Sequence, residues 1–501
     1  MKGFIPFGDF KPDLPLIKQV GDTQASNVIP VKGGYRYRGV VALMDVSTAI
    51  DAAVRGVGAF SYSNAGTLYL YTGSAAKLWG WNNASDFTNV SKVGGYSTAS
   101  TEVWRWADYS RNYKLIATNY ADAVQSITPG GAVFADMITS TNKPKARHVA
   151  VLGNFVVLGN TNDTTDGVRL SRVWWSAFGD ETDFDPDSAT QCDYEDLGTG
   201  GPVQGIIGGN EYAVIFQSHR VRMMRYIGGG TVFEFPAINY LAGTLTANSI
   251  ASTQGRIFYI DEHYRFVMLD GLNPVQIGEG VIDRLLQADI HVAAQGQPGG
   301  GAQGDMWRVS VLIDPRISCV LWAIPSQGPA TPDKVYCYNF ETNKWATWPL
   351  TVEAFFAIPR ITDNDGSVNF FDASHRWSEI SSLPLTGPMT VSTSDIQIQP
   401  GRRWEISRIK PVVDLGDIAG DANCQISVAA KMKPSDKTSF TTITSATMPD
   451  GTIPVRTAGN YMRILCSLSA SYSYSASEDF GFTNFPTIQG LEIEYEIEGE
   501  M

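Results

Sequence analysis

The residues best suited to chemistry lie in an acidic stretch, residues 180–196, with eight carboxylates and no Lys or Arg. Asp183, Asp185 and Asp187 are spaced by two, as at the start of a calcium-binding loop. Such a loop needs Gly at its sixth position and a bidentate acid at its twelfth, where this chain has Ser188 and Tyr194. The sequence therefore favours a solvated acidic loop over a metal site. The carboxylates are Asp180, Glu181, Asp183, Asp185, Asp187, Asp193, Glu195 and Asp196.

Basic residues form two short clusters. Arg220, Arg222 and Arg225 fall in one predicted strand, whereas Arg402 and Arg403 come near the start of the C-terminal part. Salt bridges on the faces of their own strands are one interpretation of both clusters. The other is a contact between subunits, in which these arginines meet the acidic stretch of a neighbouring copy.

The sequence lacks the motifs of the common catalytic sites. Its five His residues form no HExxH pair, and neither GxSxG nor the phosphate loop GxxxxGK[ST] occurs. Its five Cys residues are scattered and contain no CxxC. We predict that the protein is not an enzyme, with no catalytic residue, no cofactor and no bound metal.

The composition indicates a folded protein built of many short strands. The 501 residues include 11% aromatics, 49 Gly and 25 Pro, which suits strands joined by tight turns. The net charge of −13 argues against a surface that grips nucleic acid. It allows a surface past which DNA slides without adhering.

Short apolar runs recur at similar intervals between residues 40 and 384. Five of them start 46, 41, 57 and 45 residues apart, at Thr67, Tyr113, Asn154, Glu211 and Arg256. One four-stranded propeller blade has about this length. We therefore predict an all-β fold in which residues 40–384 form a β-propeller-like body, with blades of about 45 residues. The Gly-rich residues 293–305 are predicted to form an insertion.

The two ends of the chain differ from this body. Residues 1–39 contain four prolines and several apolar anchors, which predicts an extended N-terminal arm lying along another surface. That surface belongs either to the same chain or to a neighbouring subunit. Residues 385–501 predict a β-sandwich, since Leu491 and Ile493 alternate with Glu492 and Glu494 in the last strand.

Several blocks, in order, resemble a known family of proteins. The chain opens with IPFGDFKPDLPLIKQVGDTQASNVIP and continues through KARHVAVLGNFVVLGN, RVWWSAFGDETDF and GGPVQGIIGGNEYAVIFQSHRVRMMRYIGGGTVFEF. Near its end it has PVRTAGNYMRI and a glutamate-rich final strand. Spanning nearly the whole chain, these blocks resemble the tail nozzle proteins of short-tailed phages (podoviruses), which include the tail hub and packaged-DNA stabilisation proteins.

The resemblance implies a structural virion protein in the viral tail, synthesised in the host bacterial cytoplasm. Six copies would form a ring below the head-to-tail adaptor, continuing the DNA exit channel and helping to retain and deliver packaged DNA. The implied partners are other copies of the chain, the adaptor, tail fibre, spike or needle proteins, and double-stranded DNA in transit without sequence-specific binding. No cofactor and no membrane span are implied. The acidic stretch would face the channel, its rim or a neighbouring subunit.

An alternative function is a propeller module that binds host glycans. Trp79, Trp81 and Trp106 would then provide stacking surfaces for sugar rings. In most propellers such tryptophans belong to the core between blades, which favours the structural interpretation.

Overall fold

Antiparallel β-strands make up most of the chain. The computed structural model describes residues 1–14, 24–44, 49–62, 67–82, 86–238, 242–295, 306–326, 331–358, 368–381, 389–414, 422–433, 435–470 and 487–498. Within these ranges, seven groups of four antiparallel strands follow one another around a closed ring. Six are separate sheets, and one is the first part of a nine-stranded sheet. The first strand of each sheet lies next to the first strand or the entry turn of the following sheet, and the seventh returns to the first. This arrangement is that of a seven-bladed β-propeller.

The first four blades use consecutive strands. Blade 1 comprises Val57–Tyr62, Thr67–Gly73, Leu78–Trp81 and Thr88–Asn89. Blade 2 comprises Arg105–Tyr109, Lys114–Thr118, Gln125–Ile127 and Ala135–Asp136. Blade 3 comprises Lys145–Leu152, Phe155–Asp163, Gly167–Trp175 and Asp193–Asp196. Blade 4 comprises Val203–Ile207, Tyr212–Gln217, Val221–Tyr226 and Phe233–Glu234.

The next two blades are consecutive as well, whereas the last borrows a strand. Blade 5 comprises Ala251–Thr253, Arg256–Ile260, Phe266–Asp270 and Asn273–Gln276. Blade 6 comprises Ser310–Asp314, Cys319–Ile324, Lys334–Asn339 and Lys344–Pro349. Blade 7 comprises Ala354–Phe356, Val368–Phe371, Trp377–Ser381 and, from before blade 1, Val40–Leu43.

The borrowed strand closes the ring. Val40–Leu43 pairs antiparallel with Trp377–Ser381, so backbone hydrogen bonds join the beginning of the propeller to its end. Aromatic side chains reinforce the same junction, because Trp81 of blade 1 meets Trp377 of blade 7 edge to face, with ring centroids 4.9 Å apart. The strand pair lies within blade 7, whereas the aromatic contact holds blade 7 against blade 1.

The repeat seen in the sequence is the repeat of the blades. The five apolar runs contain the second strands of blades 1 to 5, which are buried because both faces of each blade pack against a neighbour. The longest interval, 57 residues, includes the acidic stretch, which comprises most of the loop after the third strand of blade 3 and the fourth strand itself. The predicted all-β fold with a propeller-like body is thus confirmed.

One α-helix, Asp283–Gln295, stands between blades 5 and 6 within the described ranges. Asp13 caps the first turn of this helix. Its carboxylate accepts hydrogen bonds from the backbone N–H groups of Arg284 and Leu285, at 2.9 and 3.2 Å. The insertion predicted near 293–305 begins inside this helix, and its remaining residues, 296–305, lie outside the described ranges. Short 3₁₀ turns occur at Ser110–Asn112, Ala247–Ser249 and Met306–Arg308.

The C-terminal residues form the predicted second β-domain, with two sheets. One sheet continues blade 6 to nine strands, through Gln24–Ser26, Met389–Ser392, Tyr461–Ala470, Ala422–Lys431 and Thr441–Thr442. The other contains Val28–Val31, Gly34–Tyr37, Thr487–Ile497, Trp404–Asp414 and Ile453–Gly459, with Lys2–Pro6 paired to Thr487–Ile497.

The surface on which the N-terminal arm lies is that of its own chain. Its strands belong to both sheets of the second domain, and Phe7, Phe10, Val28 and Ile29 are buried in the core that this domain shares with blade 6. Each such side chain contributes about 1.5–3 kcal/mol by burial. Residues 1–14 and 24–39 are therefore part of the folded body of the chain.

No helix among the described residues has the length and apolar character needed to cross a membrane.

Candidate functional site

A cavity of about 300 Å³ lies on the axis of the propeller, at the end where most of the inner strands begin. We call it the axial cavity. All seven blades or their entry turns contribute to its wall. The polar side chains that matter below are Arg55, Arg105, His148, Asn248, Arg308 and Glu353.

Arg105 is the most deeply buried cation of this wall. Its Nη1 atom donates to the carbonyl of Arg147, and its Nη2 atom donates to Asn248 Oδ1, each at 3.2 Å. The pKa of Arg105 is lowered to about 10, chiefly by burial, with Glu102 opposing the shift and the charge of Arg147 adding to it. The neighbourhood of Arg105 thus disfavours the positive charge that it carries at neutral pH.

Arg147 and Glu102 form an ion pair behind this wall. Arg147 Nη2 donates to Glu102 Oε1 at 2.6 Å, and its guanidinium lies 4.6 Å from the ring centroid of Tyr120. Glu102 Oε2 stands 3.8 Å from Arg105. The carboxylate of Glu102 therefore lies near two arginines, Arg105 and Arg147, and its single negative charge compensates only one of their two positive charges.

Two further arginines flank the indole of Trp307. The guanidinium of Arg308 lies 4.8 Å from a ring centroid of Trp307, and that of Arg55 lies 5.9 Å away. Arg55 Nη1 donates to the carbonyl of Ala99 at 2.6 Å, whereas Arg308 Nη1 reaches Thr331 Oγ1 only at 3.4 Å. Burial, followed by the charge of Arg308, lowers the pKa of Arg55.

Glu353 is the carboxylate that lines the axial cavity. Its Oε2 atom accepts the backbone N–H of Val54 at 2.9 Å, and its Oε1 atom lies 2.8 Å from His375 Nδ1. Burial raises the pKa of Glu353 above its ordinary value. Both oxygens are thus engaged by groups other than the cavity arginines.

Several buried polar atoms at the axis have no hydrogen-bond partner among the described residues. They are His148 Nε2, Trp106 Nε1, Arg308 Nε and Arg147 Nε. Burial lowers the pKa of His148 well below its usual range, and the charges of Arg105 and Arg147 add to the effect, so the imidazole is neutral. Of the four atoms, those of Trp106, Arg308 and Arg147 can only donate, whereas one ring nitrogen of a neutral imidazole accepts. The axis therefore carries an excess of positive charge, which suits an anion.

The acidic stretch lies elsewhere, at the outer edge of blade 3. Trp174 and Trp175 are buried beside it, as its anchors. Asp185 accepts hydrogen bonds from the backbone N–H groups of Thr141 and Asn142, at 2.9 and 2.7 Å. Burial raises the pKa of Asp185, but these hydrogen bonds outweigh it and lower that pKa below its ordinary value.

Three other carboxylates of the acidic stretch cap local turns. The Oδ1 atoms of Asp180, Asp183 and Asp187 each accept the N–H of the residue two positions later, at 2.9–3.0 Å. Glu181 accepts from Asn112 Nδ2. Asp193 and Glu195 are exposed on the edge strand. No three His, Cys, Asp or Glu residues of the described part of the chain converge as metal ligands would.

Asp196, the last of these carboxylates, belongs to a buried charge cluster. Arg172, whose side chain is 3% exposed, donates to Asp196 at 2.8 and 2.9 Å and to Asp166 at 2.7 Å. Its Nη1 atom also reaches Asp163 at 3.2 Å, and its guanidinium stacks 3.9 Å from the Tyr194 ring centroid. Burial lowers the pKa of Arg172, but hydrogen bonds to Asp196 and Asp166 outweigh it and raise that pKa.

The predicted basic contacts are distributed over two regions. Arg222 donates within its own chain to the carbonyls of Leu197, Thr199 and Phe235, whereas Arg220 reaches the hydroxyl of Thr199 at 3.2 Å. Of the remaining three, Arg225 pairs with Glu234, and Arg403 lies 3.4 Å from Glu498. Arg402 is exposed.

The three tryptophans of the glycan hypothesis are separated in the structure. Trp79 and Trp81 pack into the boundary between blades 1 and 7, and Trp79 Nε1 donates to Asp51 at 3.3 Å. Trp106 lines the axial cavity, close against Gly58, where an added Cβ would lie 2.6 Å from the indole.

Sequence reasoning missed Arg55, Arg105 and Arg308. One signal was available: a Trp–Arg pair stands just before or at the start of the inner strand in both blade 2, at 104–105, and blade 6, at 307–308. Both pairs lie where the chain enters an inner strand and line the axial cavity.

Comparisons with known proteins return structural likeness alone. No protein-family model matches the chain, and no curated protein matches it. A solved structure of YCF48 bound to a D1 peptide is 10% identical, with a TM-score of 0.39, and the match covers 70% of this chain and 97% of that chain. The extracellular domain of a one-component system from B. thetaiotaomicron is 11% identical, with a TM-score of 0.42. That match covers 76% of this chain and 45% of the other.

Proposed function

We propose that this protein is a structural, non-enzymatic component of a phage particle, the tail nozzle of a short-tailed phage. Copies of the chain would form a ring below the head-to-tail adaptor, around the path of the exiting DNA. The protein would be made in the host cytoplasm and act in the virion tail. The blocks that resemble nozzle proteins motivate the proposal, and one architectural feature supports it.

That feature is the nine-stranded sheet that blade 6 shares with the second domain. Strand Gln24–Ser26 lies between the two parts, paired with Lys344–Pro349 on one side and Met389–Ser392 on the other. Trp348 Nε1 also donates to the carbonyl of Val28 at 2.7 Å. Such a junction resists bending, which a subunit needs if a ring is to hold pressurised DNA.

The charges are consistent with contacts around a ring. Contacts between identical copies in a ring are heterologous, so two different surfaces of one chain meet. The exposed Asp193 and Glu195 lie on blade 3, and the exposed Arg402 lies on the second domain. We propose that surfaces of this kind meet between neighbours. DNA would pass through the centre of the ring and not through the axis of one propeller, since the cavity on that axis, of about 300 Å³, is too small for a duplex.

The deciding experiment is electron microscopy of the purified full chain, alone and mixed with its adaptor ring. We expect sixfold rings with a central hole in at least one sample. Monomers in both samples, at concentrations where the adaptor ring is intact, would overturn the proposal.

A second candidate function, glycan binding, is favoured by a shallow pocket of about 460 Å³ between blades 3 and 4. Phe178 and Tyr226, both about half exposed, border it together with Asp180, Asp183 and Gln191. Exposed aromatic rings beside carboxylate and amide groups are chemically suited to a sugar, since rings stack on its C–H faces and polar groups bind its hydroxyls.

Glycan-array binding by the full chain tests this candidate. We expect any genuine sugar ligand to be lost in Tyr226→Ala and retained in Trp79→Phe, whose indole lies at a blade boundary. Binding that survives Tyr226→Ala, or no saturable binding at all, would exclude this pocket as a glycan site.

A further inference from the structure

We propose that the axial cavity is a binding site for a small oxyanion, of the class of phosphate, sulfate or a small polycarboxylate. This inference concerns a different surface from the ring contacts and stands whether or not the protein is a tail nozzle. It is based on the charges, the arginine donors and the size of the cavity.

The charge balance of the axial cavity is positive. Arg55, Arg105 and Arg308 line it, against one carboxylate, Glu353. The pair of Arg147 and Glu102 behind the wall adds one charge of each sign. Two positive charges therefore lack a counter-charge in this region, in a chain whose net charge is −13. Buried charges are expected to be paired, so an anion is the missing partner.

The groups that line the cavity specify the chemistry of that anion. Arg55, Arg105 and Arg308 come from blades 1, 2 and 6, and their guanidinium groups are donors only. A ligand that satisfies donors from different blades must present several acceptor atoms. Oxyanions do this, because each oxygen accepts hydrogen bonds and carries part of the charge.

Glu353 does not supply this acceptor. Its two oxygens are engaged by Val54 and His375, on the blade 7 side of the cavity. Asn248 is likewise committed: its Oδ1 atom accepts from Arg105, and its Nδ2 atom donates to the carbonyl of Trp307. The polar groups of the wall are thus held in place by one another, which leaves the arginines of blades 2 and 6 preorganised for a ligand.

The size and walls of the cavity narrow the ligand class. A volume of about 300 Å³ is at the lower end of the range for small-molecule sites. The indoles of Trp106 and Trp307 provide apolar surfaces beside the guanidinium groups. An inorganic oxyanion or a compact polycarboxylate fits these dimensions, whereas a nucleic-acid chain does not.

Isothermal titration calorimetry on the full chain tests the proposal. Phosphate, sulfate and citrate are titrated separately, at ionic strength matched with sodium chloride, to distinguish the inorganic oxyanions from the polycarboxylate. We expect one saturable site per chain for at least one of the three. Arg308→Gln should weaken it by about tenfold or more, because a charge-assisted hydrogen bond is lost.

The matched control is Arg402→Gln, which removes an exposed arginine outside the cavity and should leave the affinity unchanged. Arg55→Gln provides a second cavity variant if Arg308→Gln does not fold. Crystals of the wild-type chain grown with selenate give a readout that needs no variant, since anomalous density should lie between Arg308 and Arg105. The proposal would be overturned if none of the three anions bound saturably or if the cavity variants bound as tightly as the wild type. Selenate density outside the axial cavity would also overturn it.

Discussion

The acidic stretch of blade 3 and the axial cavity are both strongly charged, but their charges are compensated very differently. At the edge of blade 3, Asp180, Asp183 and Asp187 cap turns, Asp185 accepts two backbone hydrogen bonds, and Arg172 binds three carboxylates at once. At the axis, three arginines line a cavity with one carboxylate, whose oxygens are already engaged. The comparison shows that a high local density of charge in the sequence does not identify a binding site. Unsatisfied charge in the fold is the better indicator.

The largest expected effect comes from the compensated region. Arg172→Met should lower the free energy of unfolding by about 3–5 kcal/mol, because it leaves Asp163 and Asp196 without their buried cation. Urea denaturation measures this loss. The matched control is Arg169→Met on the same strand, whose side chain is 45% exposed and lies 3.7 Å from Asp166, and which should cost less than about 1 kcal/mol. Equal losses in the two variants would contradict the role of Arg172 as the buried cation that compensates these carboxylates.

A pH effect distinguishes the axial region. The pKa of His148 is lowered by burial and by Arg105 and Arg147, so below a pH of about 6.5 the unfolded chain takes up a proton that the folded chain does not. The contribution of His148 to the free energy of unfolding is present in full above that pH. It decreases as the pH falls, by up to about 1.4 kcal/mol per pH unit.

His148→Gln should therefore flatten the acid side of the stability profile relative to the wild type, as measured by urea denaturation between pH 4.5 and 7.5. His219→Gln is the control, because His219 has a side chain that is 62% exposed and pairs with Glu262 at the surface. Profiles of equal slope for wild type and His148→Gln would show that His148 is not held neutral.

A smaller effect is expected for an arginine of the axial cavity. Arg308→Met should change the free energy of unfolding by less than about 1 kcal/mol in buffer without oxyanions, since removing an uncompensated buried charge offsets the lost stacking on Trp307. Thermal and urea denaturation of Arg308→Met and Arg172→Met under the same conditions provide the comparison. A loss as large as that of Arg172→Met would mean that the two regions are compensated alike.

The smallest effect is expected in the acidic stretch. Replacing Asp183 and Asp187 together by Asn should cost less than about 1 kcal/mol, because the amide oxygen of Asn accepts the one turn hydrogen bond that each Oδ1 atom accepts. Replacing both by Ala removes those acceptors and should cost more. Calorimetric unfolding of the two variants measures the difference, and equal costs would show that the turns do not depend on these side chains.

The sequence predicted much of the fold for a local reason. Buried strands such as Thr67–Gly73 and Phe155–Asp163 are apolar because both faces of a blade are covered, so their interval revealed the repeat. The alternation of Leu491 and Ile493 with glutamates likewise identified a half-buried strand of the second domain. These properties depend on residues close in sequence, which period and spacing report.

The candidate site could not be predicted in the same way. The number of blades, the closing strand Val40–Leu43 and the place of the N-terminal strands depend on pairing between residues more than 300 positions apart. Arg55, Arg105 and Arg308 come from blades 1, 2 and 6 and meet only because seven blades close around one axis. By itself the sequence determined an all-β chain with repeated strands and an acidic stretch. Tertiary structure decided which charges find partners, since ring closure sets the distances between them.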